Sequence, residues 1–242
     1  MQDIKGKVAV ITGASSGFGR ASAYALAREG VNLVLTARSE DKLAAICADC
    51  EREGVRAVYV AGDCRDEQNA IDVVAKAIEE FGHIDILLAN AGICISGPFL
   101  DSTLEQYDEQ MDTNMRSMYA ICLHALPEML KLDESQLIVV SSVTGHVGHK
   151  NEVAYSATKF ANRGFAQALN NEYRSQGLKV ATLCPSAANT MFDIGRARTV
   201  EGNNASLMLL PEDIADAVVF ICKQSKRTCR VMEMSLASMA GN

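Results

Sequence analysis

The sequence predicts an α/β fold, a doubly wound parallel sheet in a single domain. Three observations predict it. Short apolar runs that read as buried strands alternate from end to end with stretches of helical periodicity. The length, 242 residues, suits one such sheet around one core. No linker, repeat or low-complexity stretch divides residues 1–242. Parallel strands joined by right-handed crossovers then carry helices on both faces.

The first strand is expected at residues 8–11, and a helix over 19–29 is closed by Gly30. The second strand is expected at 31–35. A helix over 40–53 ends at Gly54, and its Leu43, Ile46, Cys47 and Cys50 recur at the i, i+3, i+4, i+7 spacing of a core stripe. After a third strand at 55–61, the next helix sets Ile71, Val74, Ala75 and Ile78 on one face, and 84–89 form the fourth strand. A long helical region covers about 104–132, with Tyr107, Met111, Met115, Met118 and Cys122 along one side. Pro127 is expected to kink or divide it. The fifth strand follows at 137–140, and a helix over about 154–175 has Gly177 behind it. The sixth strand at 180–183 is stopped by Pro185. Pro211-Glu212-Asp213 reads as a helix start, with proline in the first turn and acids favoured by the dipole. Residues 231–236 make the last strand, and the irregular stretch 186–206, long for a compact domain, reads as a functional or mobile substrate loop.

Apolar residues are 48 % of the chain and charged residues 22 %, ordinary for a folded globular protein. The net charge of -7 lacks the basic footprint of a nucleic-acid binder. The first residues hold no apolar signal core, and no apolar run approaches the roughly 18 residues of a membrane helix. A cytoplasmic protein with no membrane partner is expected. Eight scattered cysteines then read as reduced thiols. Cys47 and Cys50 have metal half-site spacing, but no second cysteine pair faces them. His146 and His149, two ligands without a nearby carboxylate, are too few for a metal, so none is expected.

Four motifs carry chemistry. Thr12-Gly13-Ala14-Ser15-Ser16-Gly17-Phe18-Gly19 lies between the first strand and the first helix. There glycines permit close backbone approach, and a helix N-terminus offers N–H groups to a dinucleotide pyrophosphate. Tyr155 and Lys159, four apart on a helix, share a face. A neighbouring ammonium lowers the phenol pKa, so Tyr155 can serve as general acid in reduction and general base in oxidation. Ser141 and Ser142 end the fifth strand, at the carboxyl edge where such sheets bind ligands. A serine hydroxyl there can donate to a carbonyl oxygen that gains charge. Finally, residues 35–39 at the end of the second strand contain no acid to bond ribose hydroxyls but hold Arg38 and Ser39. Arg38 can pair with a 2′-phosphate, which favours NADP(H) and leaves NAD(H) open; a solvated arginine is the alternative.

These residues resemble the short-chain dehydrogenase/reductase family. Residues 12–19 match its Thr-Gly-x-x-x-Gly-x-Gly fingerprint, and its Ser-to-Tyr spacing of thirteen selects Ser142 over Ser141. The resemblance implies a Rossmann-type fold and a catalytic set of Asn114, Ser142, Tyr155 and Lys159. In that family the asparagine holds a water that relays protons toward the lysine. It further implies cofactor contacts from Gly13, Ser15, Ser16, Gly17, Phe18, Gly19, Asp63, Cys64, Asn90, Ala91, Gly92, Pro185 and Thr190, beside Arg38, Ser39, Tyr155 and Lys159. Asp63 would meet the adenine amino group or be a plain turn residue, and Thr190 would meet the nicotinamide carboxamide. Two departures stand out: Ala89 where the family has a first asparagine, and Ser186 where it has glycine after Pro185.

The substrate is expected to be a small-molecule carbonyl or alcohol held by Cys94, Ser142, Thr144, His149, Tyr155, Met191 and Phe192. The small and apolar residues of 93–97, 144–149 and 186–206 suggest a mostly apolar body: a 3-oxo acid or acyl compound, a ketone or a hydroxysteroid. A redox sensor that binds NADP(H) without turnover is the alternative. A homodimer or homotetramer is implied by the resemblance, with the Met-rich face of 107–122 as either interface or core.

Overall fold

The computed structural model describes residues 1–190, 192, 207–224 and 229–239. In chain order the elements are β1 (Val8–Thr12), α1 (Gly17–Arg28), β2 (Asn32–Ala37), α2 (Glu40–Glu51), β3 (Ala57–Ala61), α3 (Glu67–Phe81), β4 (Ile86–Ala89) and α4 (Leu104–Met111). A π-helical turn, Asp112–Arg116, leads into α5 (Ser117–Met129), followed by β5 (Ser135–Val140), α6 (Val153–Tyr173), β6 (Leu178–Pro185), α7 (Pro211–Cys222) and β7 (Glu233–Leu236). The seven strands form one sheet in the order β3-β2-β1-β4-β5-β6-β7, every pairing parallel.

Strand alternation builds two cores. Ala9 and Ile11 of β1 point to one face, with Leu33 and Leu35 of β2, and pack under Leu26 of α1, Leu43 and Ile46 of α2, and Val218 of α7. Val8 and Val10 point to the other, under Val73 of α3, Ile121 of α5 and Ala166 of α6. Cys47 and Cys50 belong to the first core, as their spacing predicts. Because β1 lies between β2 and β4, the chain reverses direction across the sheet there. The carboxyl ends of β1 and β4 diverge into a crevice, where open α/β sheets take ligands. No described helix is long and apolar enough to cross a membrane.

Predicted and observed elements differ at several points. The helix expected from residue 19 starts at Gly17, inside the glycine motif, and β2 runs on to Ala37. On α3 the buried stripe is Ala70, Val73, Val74 and Ala77, packed under the sheet, while Ile71 is exposed; Asp66 caps the helix by accepting from the Gln68 N–H. Sequence placed the break of the long helix at Pro127, but Pro127 sits in the last turn of α5, beside exposed Leu123. The interruption lies instead at Asp112–Arg116, a π-helical turn whose buried Asn114 bonds the Ile93 backbone on both its N–H and its carbonyl. The Met-rich face divides: Met118 and Cys122 are core, whereas Tyr107 is exposed along with Tyr119 and Leu123.

Candidate active site

The glycine turn is held from both sides. Gly13 adopts φ +65, a left-handed conformation that favours glycine. The Thr12 hydroxyl accepts from the N–H groups of Asn90 and Ala91, each at 3.0 Å, and the Asn90 amide donates to the Thr12 carbonyl at 2.8 Å. The ends of β1 and β4 are thereby laced together, with Asn90 bonded to the turn and Ala89 buried in β4. Gly19 stands behind the turn; a Cβ there would come within 2.5 Å of the Gly13 carbonyl oxygen. It lets α1 approach β1 and is not among the residues that line the cleft.

A cleft of about 640 Å³ opens above these strand ends. One end is walled by Arg38, Ser39, Asp63 and Cys64, the middle by Gly13, Ser15, Ser16, Gly17 and Phe18, the far end by Ser142, Tyr155 and Lys159. Asn90, Ala91 and Gly92 form its floor, and Pro185 and Thr190 close one side. Thr190 lies 3.7 Å from where a Gly17 Cβ would be, so the chain after β6 folds across the glycine turn. Ser186 is tied to the end of β7 and the residues beyond it: its N–H donates to the Leu236 carbonyl and its hydroxyl accepts from the Ser238 N–H at 2.7 Å.

α6 presents Tyr155, Lys159, Asn162 and Ala166 on one buried stripe. Lys159 is 3 % exposed, and its ammonium donates to the Val140 carbonyl at 3.0 Å. Its Nζ lies 5.5 Å from the centre of the Tyr155 ring. Burial pulls this lysine down to about 8, a shift that the nearby Cys184 and Cys94 thiols oppose. The Tyr155 ring meets that of Phe192 at 6.0 Å, tilted by 57°. Both serines line the cleft and differ in their bonds: the Ser141 hydroxyl donates to the Lys159 carbonyl at 2.9 Å, while the Ser142 hydroxyl accepts from the Thr144 N–H at 3.1 Å.

Asn114 does not reach the cleft wall. It is 1 % exposed, accepts from the Ile93 N–H at 2.7 Å, and donates to the Ile93 carbonyl and the Thr158 hydroxyl. Thr158 in turn donates to the Tyr155 carbonyl at 2.7 Å, so Asn114 clamps the π-helical turn to both sides of the site.

Of the expected substrate contacts, Cys94, Thr144, His149 and Phe192 line the cleft, and Met191 lies outside the described residues. Sequence reasoning missed Glu152, which also lines it and accepts from the Thr144 hydroxyl at 3.3 Å; its place three residues before Tyr155 was the available signal. It also missed Arg65, whose guanidinium grips Asp63, with Nη2 at 2.6 Å from Oδ2. The Arg65 hydrogen bonds hold the Asp63 carboxyl below its usual range, with the Arg38 charge adding to the effect. Nothing periodic marks a loop residue of this kind.

The sequence matches the family model for short chain dehydrogenases over residues 7–200. An uncharacterized oxidoreductase of Staphylococcus epidermidis is 34 % identical over 228 residues, covering 93 % of this chain and 94 % of the relative. Among solved structures, an alcohol dehydrogenase from the archaeon Thermococcus sibiricus, complexed with 5-hydroxy-NADP, is similar with a TM-score of 0.87 and 29 % identity over 96 % of each chain. A short chain dehydrogenase from Mycobacterium paratuberculosis bound to NAD gives a TM-score of 0.88 and 25 % identity over 97 % of each. With the fingerprint at the crevice and the matched region spanning most of the fold, the chain belongs to the short chain dehydrogenase family and is an oxidoreductase of that family.

Proposed function

We propose that this protein is an NADP(H)-dependent oxidoreductase that interconverts a ketone and a secondary alcohol, with Tyr155 as general acid and base. The observation that carries this reading is the convergence of Ser142, Tyr155 and Lys159 at one end of a cleft whose other end holds Arg38. The residues present fit a nicotinamide dinucleotide: a glycine turn opening α1 for the pyrophosphate, and Arg38 with Ser39 at the end of β2 for a phosphorylated ribose. When bound, such a cofactor supplies or accepts the hydride. Ser142 would donate to the substrate oxygen as charge develops on it, and Tyr155 would deliver or take the proton. Lys159, buried beside Tyr155, favours the phenolate while it is charged. Asn114 would position this set from behind, through Thr158 and Ile93.

A carbonyl or alcohol with a largely apolar body suits the Ile93, Cys94, Val143, Phe192 and Met208 side of the cleft, while Thr144, His149 and Glu152 give one wall polar groups. We further infer a homo-oligomer, supported by exposed Tyr107 on α4, Tyr119 and Leu123 on α5, and Phe160 on α6.

Tyr155→Phe tests the reading. It is expected to cut NADPH-dependent reduction of responsive carbonyls by about 10²–10⁴-fold while NADPH binding, followed by nicotinamide fluorescence, persists. Unchanged turnover would remove Tyr155 from the chemistry. Tight binding with no turnover by the wild type, across steroid ketones, 3-oxoacyl thioesters, small 3-oxo acids and aromatic aldehydes, would favour a sensor.

A further inference from the structure

The fold answers the objection that His146 lacks metal-ligating neighbours. His146 follows the short turn Val143–Gly145 after β5, Cys184 stands next to last in β6, and Glu233 opens β7. Their donor atoms all lie within 4.8 Å of one another. His149, its partner in sequence, is not in this group; it lines the cleft. We propose that His146, Cys184 and Glu233 form a binding site for a thiophilic divalent cation of the zinc class.

The donor set is one sulfur, one imidazole nitrogen and one carboxylate oxygen. That combination suits zinc, cobalt(II) or cadmium and is too soft for magnesium or calcium. Zinc bonds of about 2.0–2.3 Å put neighbouring donors of a tetrahedron roughly 3.5 Å apart. His146 Nε2 and Glu233 Oε1 are already 3.5 Å apart, and the Cys184 sulfur lies within 4.8 Å of both. The other carboxylate oxygen of Glu233 accepts from Arg163 Nε at 2.8 Å, and Arg163 Nη1 donates to the Gly145 carbonyl at 2.9 Å. Arg163 therefore fixes both the carboxylate and the turn that carries His146, the task of an outer partner in metal sites. Ser235 Oγ, 3.3 Å from His146 Nε2, or a water can complete the coordination. His146 and Glu233 are each about 30 % exposed at the side chain, which gives an ion an entry path to buried Cys184.

Burial holds the Cys184 thiol up at about 11. The Glu233 charge pushes the same way, while Arg163 and Lys159 of α6 and the Ser141 hydroxyl oppose it. An ion must displace that proton, so affinity rises with pH. The turn behind His146 carries Ser142 and Thr144, and Pro185 follows Cys184. An ion here would staple two walls of the cleft to edge strand β7 without entering the cleft.

The test is a titration of chelator-treated full-length protein with cobalt(II) chloride, then zinc sulfate. One thiolate-to-cobalt charge-transfer band per chain is expected, stronger at pH 8 than at pH 6. Zinc at about a hundred times its dissociation constant should raise the melting temperature by about 5–10 °C. Cys184→Ser and His146→Ala should each abolish the band, and Glu233→Gln should weaken binding at least tenfold. No band, or a band that survives both substitutions and so belongs to other cysteines, overturns the proposal. A band lost in Cys184→Ser but unchanged in His146→Ala and Glu233→Gln marks a thiol adduct and overturns it equally. If Cys184→Ser fails to fold, His146→Ala, on a part-exposed turn, decides alone.

Discussion

Arg38 is exposed at the mouth of the cleft, one residue past β2 and close enough to Asp63 for its charge to be felt there. A charge-assisted hydrogen bond to a 2′-phosphate is worth about 1.5–3 kcal/mol. Arg38→Ala should therefore raise the Michaelis constant for NADPH about tenfold to 150-fold and leave that for NADH nearly unchanged; equal effects on both would sink the assignment. Lys159 makes a second prediction. Burial lowers it from 10.5 to about 8, so it is an ammonium below that pH and an amine above it. kcat/KM for carbonyl reduction should hold below about pH 8 and fall above it. Lys159→Arg, charged throughout the accessible range, should be slower but lack that limb. An unchanged limb would assign the proton to another group. Because the folded-state value lies below the unfolded one, folding expels this proton, and the contribution of Lys159 to stability rises as pH climbs from about 8 toward 10.5. Helical spacing put Tyr155 and Lys159 on one face, and the strand end offered Ser141 and Ser142 alike; only the thirteen-residue spacing of the family resemblance singled out Ser142. Asp63 was legible only in part: its residue type stands in the sequence, but the Arg65 grip depends on loop geometry that no period encodes.

Among the elements, α1 packs through a position that admits no side chain. An alanine Cβ at Gly19 would sit 2.5 Å from the Gly13 carbonyl oxygen and 3.0 Å from the Ala14 Cα, both backbone atoms that cannot swing aside. Gly19→Ala should destabilise the fold by about 1–3 kcal/mol, a loss of roughly 2–12 °C in thermal melting. Gly164→Ala, in α6 where nothing lies within 4 Å of the new Cβ, should instead be neutral or slightly stabilising. Melting points that move alike would refute the steric argument. The order of strands and helices was readable because apolar runs and 3.6-residue periods alternate cleanly. The π-helical turn was not. Residues 112–116 contain neither glycine nor proline and keep the helical pattern, so only the contacts of Asn114 with Ile93 and Thr158, distant in sequence, reveal it. The α3 stripe was misjudged by one residue because Ile71 is apolar yet exposed, while the small Ala70 and Ala77 sit in the core beside Val73 and Val74.

For the whole molecule, the exposed aromatic and aliphatic residues of α4, α5 and α6 carry the oligomer prediction. Light scattering on the purified protein should give two or four times the 26.0 kDa chain mass. Leu123→Glu, on the exposed face of α5, should move it toward a single chain; a monomeric wild type would refute the inferred assembly. The same helical pair bears on how the fold tolerates change. A π-helical turn is an α-helix with one extra residue looped out. Deleting one residue of 112–116 would let α4 and α5 fuse into one regular helix with the register on either side kept. Met118, Ile121, Cys122 and Ala125 would then keep their seats against the sheet, while the looped-out turn that brings Asn114 to Ile93 would be gone. The core is thus indifferent to this one residue, and the active site is not. Shortening the chain at this bend would spare the fold and strike the site.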